Sequence, residues 1–363
     1  MLSPSEVKKI DKSGLHKIYE DWYVHCRNAF QTEVRAPDIF HIKEIVFAGM
    51  GGSATPGDIL QDWLRDDIKI PLYVVKDYHL PRFVGRDTFV LAVSCSGNTE
   101  ETLSVVHDAI KAGCKVTTIS SGGLLEEISL KNNIAHNKIA FKSLSRASFP
   151  YLFYVSAKIL SNYGLLKGLE GQILNSIRLV KDISKHVSID SPIEGNISKK
   201  LASKLCNSLP FVYGSSLNRA VAVRFKNVLN ENSKMHVVVD VQPELCHNEI
   251  VAWEGAKEKA FKALFLRYER EPPEVKARFE IVGRLIRDAG FETLEAWSWG
   301  TDRLSKIISL LYILDIASLY VAVMRGFDPT LTASIDKVKR GLKSRLDFVN
   351  RYVLKGKRVG DMK

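Results

Sequence analysis

Residues 44–56 read EIVFAGMGGSATP. An apolar run is followed by a glycine-rich turn, and Pro56 stands where a helix begins, a position proline tolerates because the first helical N–H groups have no partner. An apolar run without polar alternation needs cover on both faces, so strand, turn and helix in this order predict a parallel β-α-β unit. Residues 88–102, TFVLAVSCSGNTEET, repeat the pattern with a different turn. Working outward, further strands are expected at 71–77, 115–120 and 137–141, separated by the helical stretches TEETLSVVHDAIKAG and GLLEEISLKN. This is the grammar of a doubly wound α/β layer. Residues 1–40 read as helical, and a long helix is expected over 151–185.

The second half repeats the grammar. LPFVYGSSLNRAVAVRFKNVLNENS (209–233) reads as strand, Gly-Ser-Ser turn and long helix. Strands are expected at 236–241, 262–268 and 293–299, alternating with a helix in PEVKARFEIVGRLIRDAG and a core helix near 305–325. The polar stretch HVSIDSPIEGN (186–196) reads as a linker. Two related α/β domains are therefore expected, 1–190 and 191–363.

A chain of 363 residues suits two domains of roughly 100–200 residues. With 45% hydrophobic and 26% charged residues, disorder is excluded. Five cysteines with no C-x-x-C pair predict neither a disulfide framework nor a zinc knuckle, and MLSPSEVKKIDKSG carries no apolar signal core. A cytoplasmic location is expected. The apolar segment 307–324 approaches the length of a membrane span, but Asp315 at its centre favours a buried core helix. A net charge of +11 attracts anions without naming one, and much of it lies in residues 337–363.

In a parallel sheet, ligands collect where strand ends feed helix N-termini, and there the exposed N–H groups and the helix dipole favour an anion. GMGGSA lacks both the G-x-G-x-x-G spacing of a dinucleotide loop and the Gly-Lys-Ser/Thr of a P-loop. SCSGNTEET has no G-x-S-x-G elbow and no linked base. Two readings stay open for it: helix capping, by Asn98 with Glu101 or Thr99 with Thr102, and an anion cradle.

FAGMGGSA and SCSGNTEETL, both at strand ends, resemble the two phosphosugar-binding loops of the SIS (sugar isomerase) domain. FKNVLNENSK (225–234), PELCHNEIVAWEG (243–255) and RGFDPTLTASIDKVKRGL (325–342) are similar to the archaeal-type bifunctional phosphoglucose/phosphomannose isomerases, within the phosphoglucose isomerase superfamily. The resemblance runs from about residue 40 to about 342. It implies two SIS-type domains and a metal-independent, cofactor-free aldose-ketose isomerase of sugar metabolism, serving glycolysis or gluconeogenesis.

By the same resemblance, Gly51, Gly52, Ser53, Ser94, Ser96 and Thr99 hold the phosphorylated hexose. Glu231 is the base that moves a proton between C1 and C2, His247 opens the ring with Lys339 as helper, Arg146 stands beside the enediolate, and Thr332 sets acceptance of both epimers. The family often has proline near that threonine; here Ala333 follows Thr332, and Thr330 competes for the position. Cys246 precedes His247 where the family often has histidine or a polar residue, and residues 343–363 extend past the usual end. A homodimer sharing its active sites is also implied, with His247 lent by the partner and no nucleic-acid or membrane partner.

The chemistry fits the residue types. A carboxylate is already the base form at neutral pH, histidine titrates near it, and an arginine offsets developing negative charge. Without their neighbours these residues read blandly, Glu231 as a solvated helix end and Arg146 as a solvated loop residue. No H-x-H or H-E-x-x-H pattern supports a zinc route. A non-catalytic sugar-phosphate regulator is the alternative, although the first 40 residues are short for a helix-turn-helix module. An amino-sugar synthase would need a glutaminase domain with a leading cysteine.

Overall fold

The computed structural model describes residues 2–39, 41–141 and 144–346; most of the expected basic extension, 347–363, lies outside them. Three helices open the chain: α1 (Pro4–Ile10), α2 (Leu15–Glu20) and α3 (Trp22–Gln31). The first sheet follows in the order β1 (Glu44–Ala48), α4 (Thr55–Leu64), β2 (Leu72–Val75), β3 (Thr88–Val93), α5 (Glu100–Lys111), β4 (Lys115–Ser120), α6 (Leu124–Lys131) and β5 (Ala135–Lys138). Then come α7 (Phe149–Asn162), α8 (Glu170–Val187) and α9 (Ile197–Leu205). The second sheet runs β6 (Leu209–Gly214), α10 (Arg219–Ser233), β7 (Val238–Val241), β8 (Phe261–Arg267), α11 (Pro273–Asp288), β9 (Glu292–Trp297) and α12 (Arg303–Met324), and α13 (Ala333–Leu346) ends the described chain.

The chain divides into two compact units, neither continuous in sequence: His25–Gly168 with Thr332–Lys363, and Met1–Val24 with Leu169–Leu331. Residue 190 lies within the second unit, because α8 on one side of it and α9 on the other both pack against α12. The helices α1 and α2 and the start of α3 belong to that unit too: Trp22 stacks on Tyr312 at 5.3 Å, and Tyr312 donates to the Tyr19 carbonyl. They form part of the core rather than a detached module.

The first unit holds a five-stranded sheet in the order β2-β1-β3-β4-β5, with every neighbouring pair parallel. All six residues of β3 are buried, as its unbroken apolar run demands. Strand order reverses between β1 and β3, the position where such sheets open a crevice for ligands. The second unit holds a four-stranded parallel sheet, β7-β6-β8-β9, reversing between β6 and β8.

Two expectations shift. The strand expected at 137–141 is β5 at 135–138: an edge strand pairs on one side only, and the buried Ile139 and Phe141 that drew attention follow it. The helix expected over 151–185 is broken into α7 and α8, with Gly164 and Gly168 between them at φ values of 73° and 86°, a left-handed backbone that glycine adopts without steric cost.

The apolar helix α12 is long enough to cross a membrane, with a mean hydropathy of 2.2, yet 94% of that window is buried inside the protein. Asp315 at its middle accepts two hydrogen bonds from Arg224 of α10, from Nε at 3.1 Å and Nη2 at 2.6 Å, with both side chains almost fully buried. Burial alone would draw the Arg224 proton affinity down, but the Asp315 charge and hydrogen bonds leave it above the ordinary arginine value.

Candidate active site

At the switch point of the first sheet, the turn after β1 is a short 3-10 helix, Gly51–Ser53, and the turn after β3 is Ser94–Thr99. The two are joined: the Cys95 N–H donates to Ser53 Oγ at 3.0 Å. Ser94 is buried, its Oγ accepting the Gly97 N–H at 3.1 Å and lying 2.9 Å from Thr99 Oγ1. Ser53 and Ser94 therefore brace the turns from inside. Ser96 and Gly51 are exposed, and Gly52 and Thr99 are half-buried.

Thr99 is the N-cap of α5, and its side chain makes no hydrogen bond to the helix. Asn98 does not cap α5 either. Its Oδ1 accepts the Leu124 N–H at 3.0 Å, at the start of α6, and so holds the neighbouring loop. Of the two readings of SCSGNTEET, this favours the cradle: neither Thr99 nor Asn98 caps the N–H groups at the start of α5, although Glu100 and Glu101 stand in its first turn. Glycine is obligatory at 97, where φ is +71° and a Cβ would stand 1.7 Å from the Gly122 carbonyl oxygen.

Arg146, the residue the resemblance sets beside the enediolate, is only 3% exposed, on the 3-10 turn Ser145–Ser148, which does not fit the bland reading of a solvated loop arginine. That turn lies against the glycine loop so closely that a Cβ on Gly52 would be 2.9 Å from the Arg146 backbone nitrogen. Ser53 Oγ and Ser145 Oγ are 3.3 Å apart. Ser145 is thus a part of the cradle that motif reading missed; the hydroxyls flanking Arg146 in SRAS were its only signal. Burial pushes the Cys95 thiol above the ordinary value, only partly offset by a hydrogen bond with Ser148, so a nucleophilic thiolate is disfavoured.

In the second unit, Glu231 is half-buried in the last turn of α10. The turn is fastened to α12: Asn232 Nδ2 donates to Ser318 Oγ at 2.8 Å and Ser233 Oγ to the Ser318 carbonyl at 2.6 Å. Arg325 Nε donates to the Ser233 carbonyl at 3.1 Å. The Arg224 and Asp315 pair locks the same two helices two turns earlier.

His247 is exposed at the end of the 3-10 turn Glu244–His247, which follows β7. The next turn is anchored by Glu249, which accepts the Tyr213 hydroxyl at 2.5 Å, while Trp253 Nε1 donates to the same oxygen at 2.7 Å. Burial raises the Glu249 carboxyl above its ordinary value, against the lowering effect of the Tyr213 bond.

The second unit does not bring Glu231 and His247 together. The helix α10 starts where β6 ends and runs back along the sheet, so Glu231, twelve residues in, lies about 18 Å down it, at the amino ends of the strands. His247 lies beyond the carboxyl end of β7. Lys339 is exposed on α13, and the carbonyl of Thr332 accepts the Ile335 N–H as that helix begins. The Thr330 hydroxyl donates to Asp328 Oδ1 at 2.6 Å and meets Ser13 Oγ at 3.2 Å. Among the described residues no group of three or more His, Cys, Asp or Glu side chains is placed to hold a metal.

A family model described as bacterial phospho-glucose isomerase C-terminal SIS domain matches residues 194–342. A bifunctional phosphoglucose/phosphomannose isomerase of Caldicellulosiruptor bescii is 35% identical over 314 residues, covering 86% of this chain and 92% of the relative. A protein of the same name from Aquifex aeolicus is 30% identical over 331 residues, 91% of this chain and 98% of its own. Among solved structures, a hypothetical protein of Thermus thermophilus superposes with a TM-score of 0.72 over 94% of this chain and 93% of its own; at 12% identity this speaks to the fold alone.

Proposed function

This chain belongs to the bifunctional phosphoglucose/phosphomannose isomerases, and we propose that it interconverts glucose 6-phosphate and mannose 6-phosphate with fructose 6-phosphate. The observation that carries the substrate class is the pair of turns at the switch point of the first sheet, joined by the Cys95 N–H and opening onto a helix with no side-chain cap. A phosphate dianion suits that end of a helix. Ser96, Thr99 and the glycine turn grip it, and Ser53 and Ser94 hold the turns in shape.

With the phosphate held, His247 moves a proton between the ring oxygen and O1 to open the ring, assisted by Lys339. Glu231 then takes the proton from C2 and returns it to C1, and the reverse, while the Arg146 guanidinium offsets the charge of the enediolate. Thr332 contacts the hydroxyl at C2, where the two aldoses differ. The reaction needs no redox partner, because the electrons stay within the sugar. We place it in the cytoplasm, in glycolysis or gluconeogenesis. All five cysteines are free thiols, in keeping with a reducing compartment.

The separation of Glu231 and His247 supports a homodimer in which one protomer supplies the base and its partner the histidine. The helix α13 also supports it: none of its described residues is buried, and its Ile335 and Val338 are exposed at 41% and 63%. Two experiments test the reading. Purified protein given fructose 6-phosphate is expected to form both aldose phosphates; formation of neither, with phosphosugar binding intact, overturns the reaction. Mixing inactive Glu231→Gln and His247→Ala chains is expected to restore activity, since a mixed dimer with shared sites has one intact site. No recovery after demonstrated subunit exchange overturns the sharing.

A further inference from the structure

The helix that carries Glu231 ends in an unusual way. Its last residue is followed by Lys234 at φ 53° and ψ 43°, a left-handed conformation, and the N–H groups of Lys234 and Met235 both donate to the Leu229 carbonyl. A left-handed residue just past a helix C-terminus is ordinarily glycine, since a Cβ there carries a steric cost. A lysine that bears this cost calls for a compensating role.

The side chain provides one. Lys234 Nζ donates to three carbonyl oxygens, of Glu231 at 2.9 Å, of Asn232 at 3.2 Å and of Asp328 at 3.0 Å. Two of these belong to the last helical turn, whose carbonyls lack partners within the helix. The third belongs to the loop after α12, where Asp328 Oδ1 also holds the Thr330 N–H and hydroxyl. One ammonium thus grips the backbone of Glu231 itself and ties it to Asp328, 94 residues on from Lys234. Its positive charge also lies at the negative end of the helix dipole, beside a carboxylate that the same dipole disfavours.

We propose that Lys234 is a positioning residue for the base: its ammonium fixes the last turn of α10 so that the Glu231 carboxylate stays where the proton must be taken. This rests on Glu231 being the base. Proton transfer is sensitive to misplacement on the scale of an ångström, whereas the phosphate grip lies on other residues. Loss of the ammonium should therefore lower kcat and leave KM alone.

The test uses Lys234→Gly in the full chain. Glycine relieves the left-handed strain while deleting the ammonium, so a merely structural role and a positioning role diverge. Expected are a kcat lowered roughly 10- to 100-fold, a KM within about twofold of the parent, and a melting temperature that does not fall in step with kcat. Lys234→Met, which removes the ammonium and keeps the strain, should show the same kcat loss, and Lys234→Arg should recover part of it. An unchanged kcat in Lys234→Gly and Lys234→Met, or a kcat that tracks the melting temperature across the three variants, overturns the proposal. Glu231→Gln in the same assay separates the two ideas. If it retains C2 proton exchange, Glu231 is not the base; if it is inactive while Lys234→Gly is fully active, only the role of Lys234 fails.

Discussion

At the reversal between β1 and β3, hydroxyls and glycines line two turns, and the helix beyond them, α5, has no side-chain cap. At the matching reversal between β6 and β8, Asn218 fills the turn. Its Oδ1 accepts the Ser215 N–H at 2.6 Å, and its Nδ2 donates to the Leu266 carbonyl at 2.9 Å. The helix after β9 is capped: Asp302 Oδ1 accepts the Ser305 N–H at 2.8 Å and places a carboxylate where an anion would sit. Even Arg267, at the end of β8, is held by Glu271 and Glu295. The same strand-turn-helix grammar is thus braced differently: in the first sheet hydroxyls tie the two turns to each other, in the second an asparagine ties its turn to the neighbouring strand end, while α5 and α10 alike lack a side-chain cap. The second unit's proposed base lies elsewhere, at the far end of α10.

The severest way to break this contrast is Gly97→Ala. The new Cβ must displace the Gly122 carbonyl and adopt a left-handed backbone, at a cost on the order of 3 kcal/mol. A lower melting temperature and a KM raised more than about tenfold are expected, since strain in the turn reaches the phosphate grip directly. An unperturbed KM would mean that the SCSGNT turn does not hold the substrate.

A gentler comparison sets Ser96→Ala against Ser216→Ala, the exposed serines of the two corresponding turns. Losing one hydrogen bond to a charged phosphate costs about 1.5–3 kcal/mol, so Ser96→Ala should raise KM roughly 10- to 100-fold with little change in kcat. Ser216→Ala should leave both constants within about twofold, as surface changes away from a site do. Equal effects in steady-state kinetics would erase the distinction between the two loops.

The strands and the first unit's turns were legible in the sequence, the contrast between the two turns was not, and what was missed has a common cause. The strands announced themselves through unbroken apolar runs such as FVLAV, and the cradle through glycine and hydroxyl residues placed directly after them. What escaped reading were pairings across long stretches of chain: Ser53 with Ser145, Asn98 with Leu124, and Asp315 with Arg224 91 residues away. Asp315 could be read as too costly for lipid, but its partner could not be chosen among the arginines without the packing of α10 on α12. Asn218 resembles any turn asparagine until its side chain is seen to occupy the cradle.

The smallest expected effect concerns the internal use of polar groups in the second unit. Burial holds the Glu249 carboxyl above its ordinary value even though it accepts the Tyr213 hydroxyl. Between the unfolded value, near ~4.3, and the raised folded value, the native state binds more protons than the unfolded chain, so this group's contribution to stability declines as pH rises through that window. Glu249→Gln keeps an oxygen to accept from Tyr213 and removes the ionisation. The variant should therefore lose this part of the decline and be slightly more stable than the parent at neutral pH, as read by thermal melts across pH 4 to 8 (roughly the span around that window). A variant that is less stable at neutral pH would show that the ionised carboxylate, rather than its oxygen as an acceptor, secures the turn after His247. The second unit would then hold that turn by charge rather than by a neutral hydrogen bond.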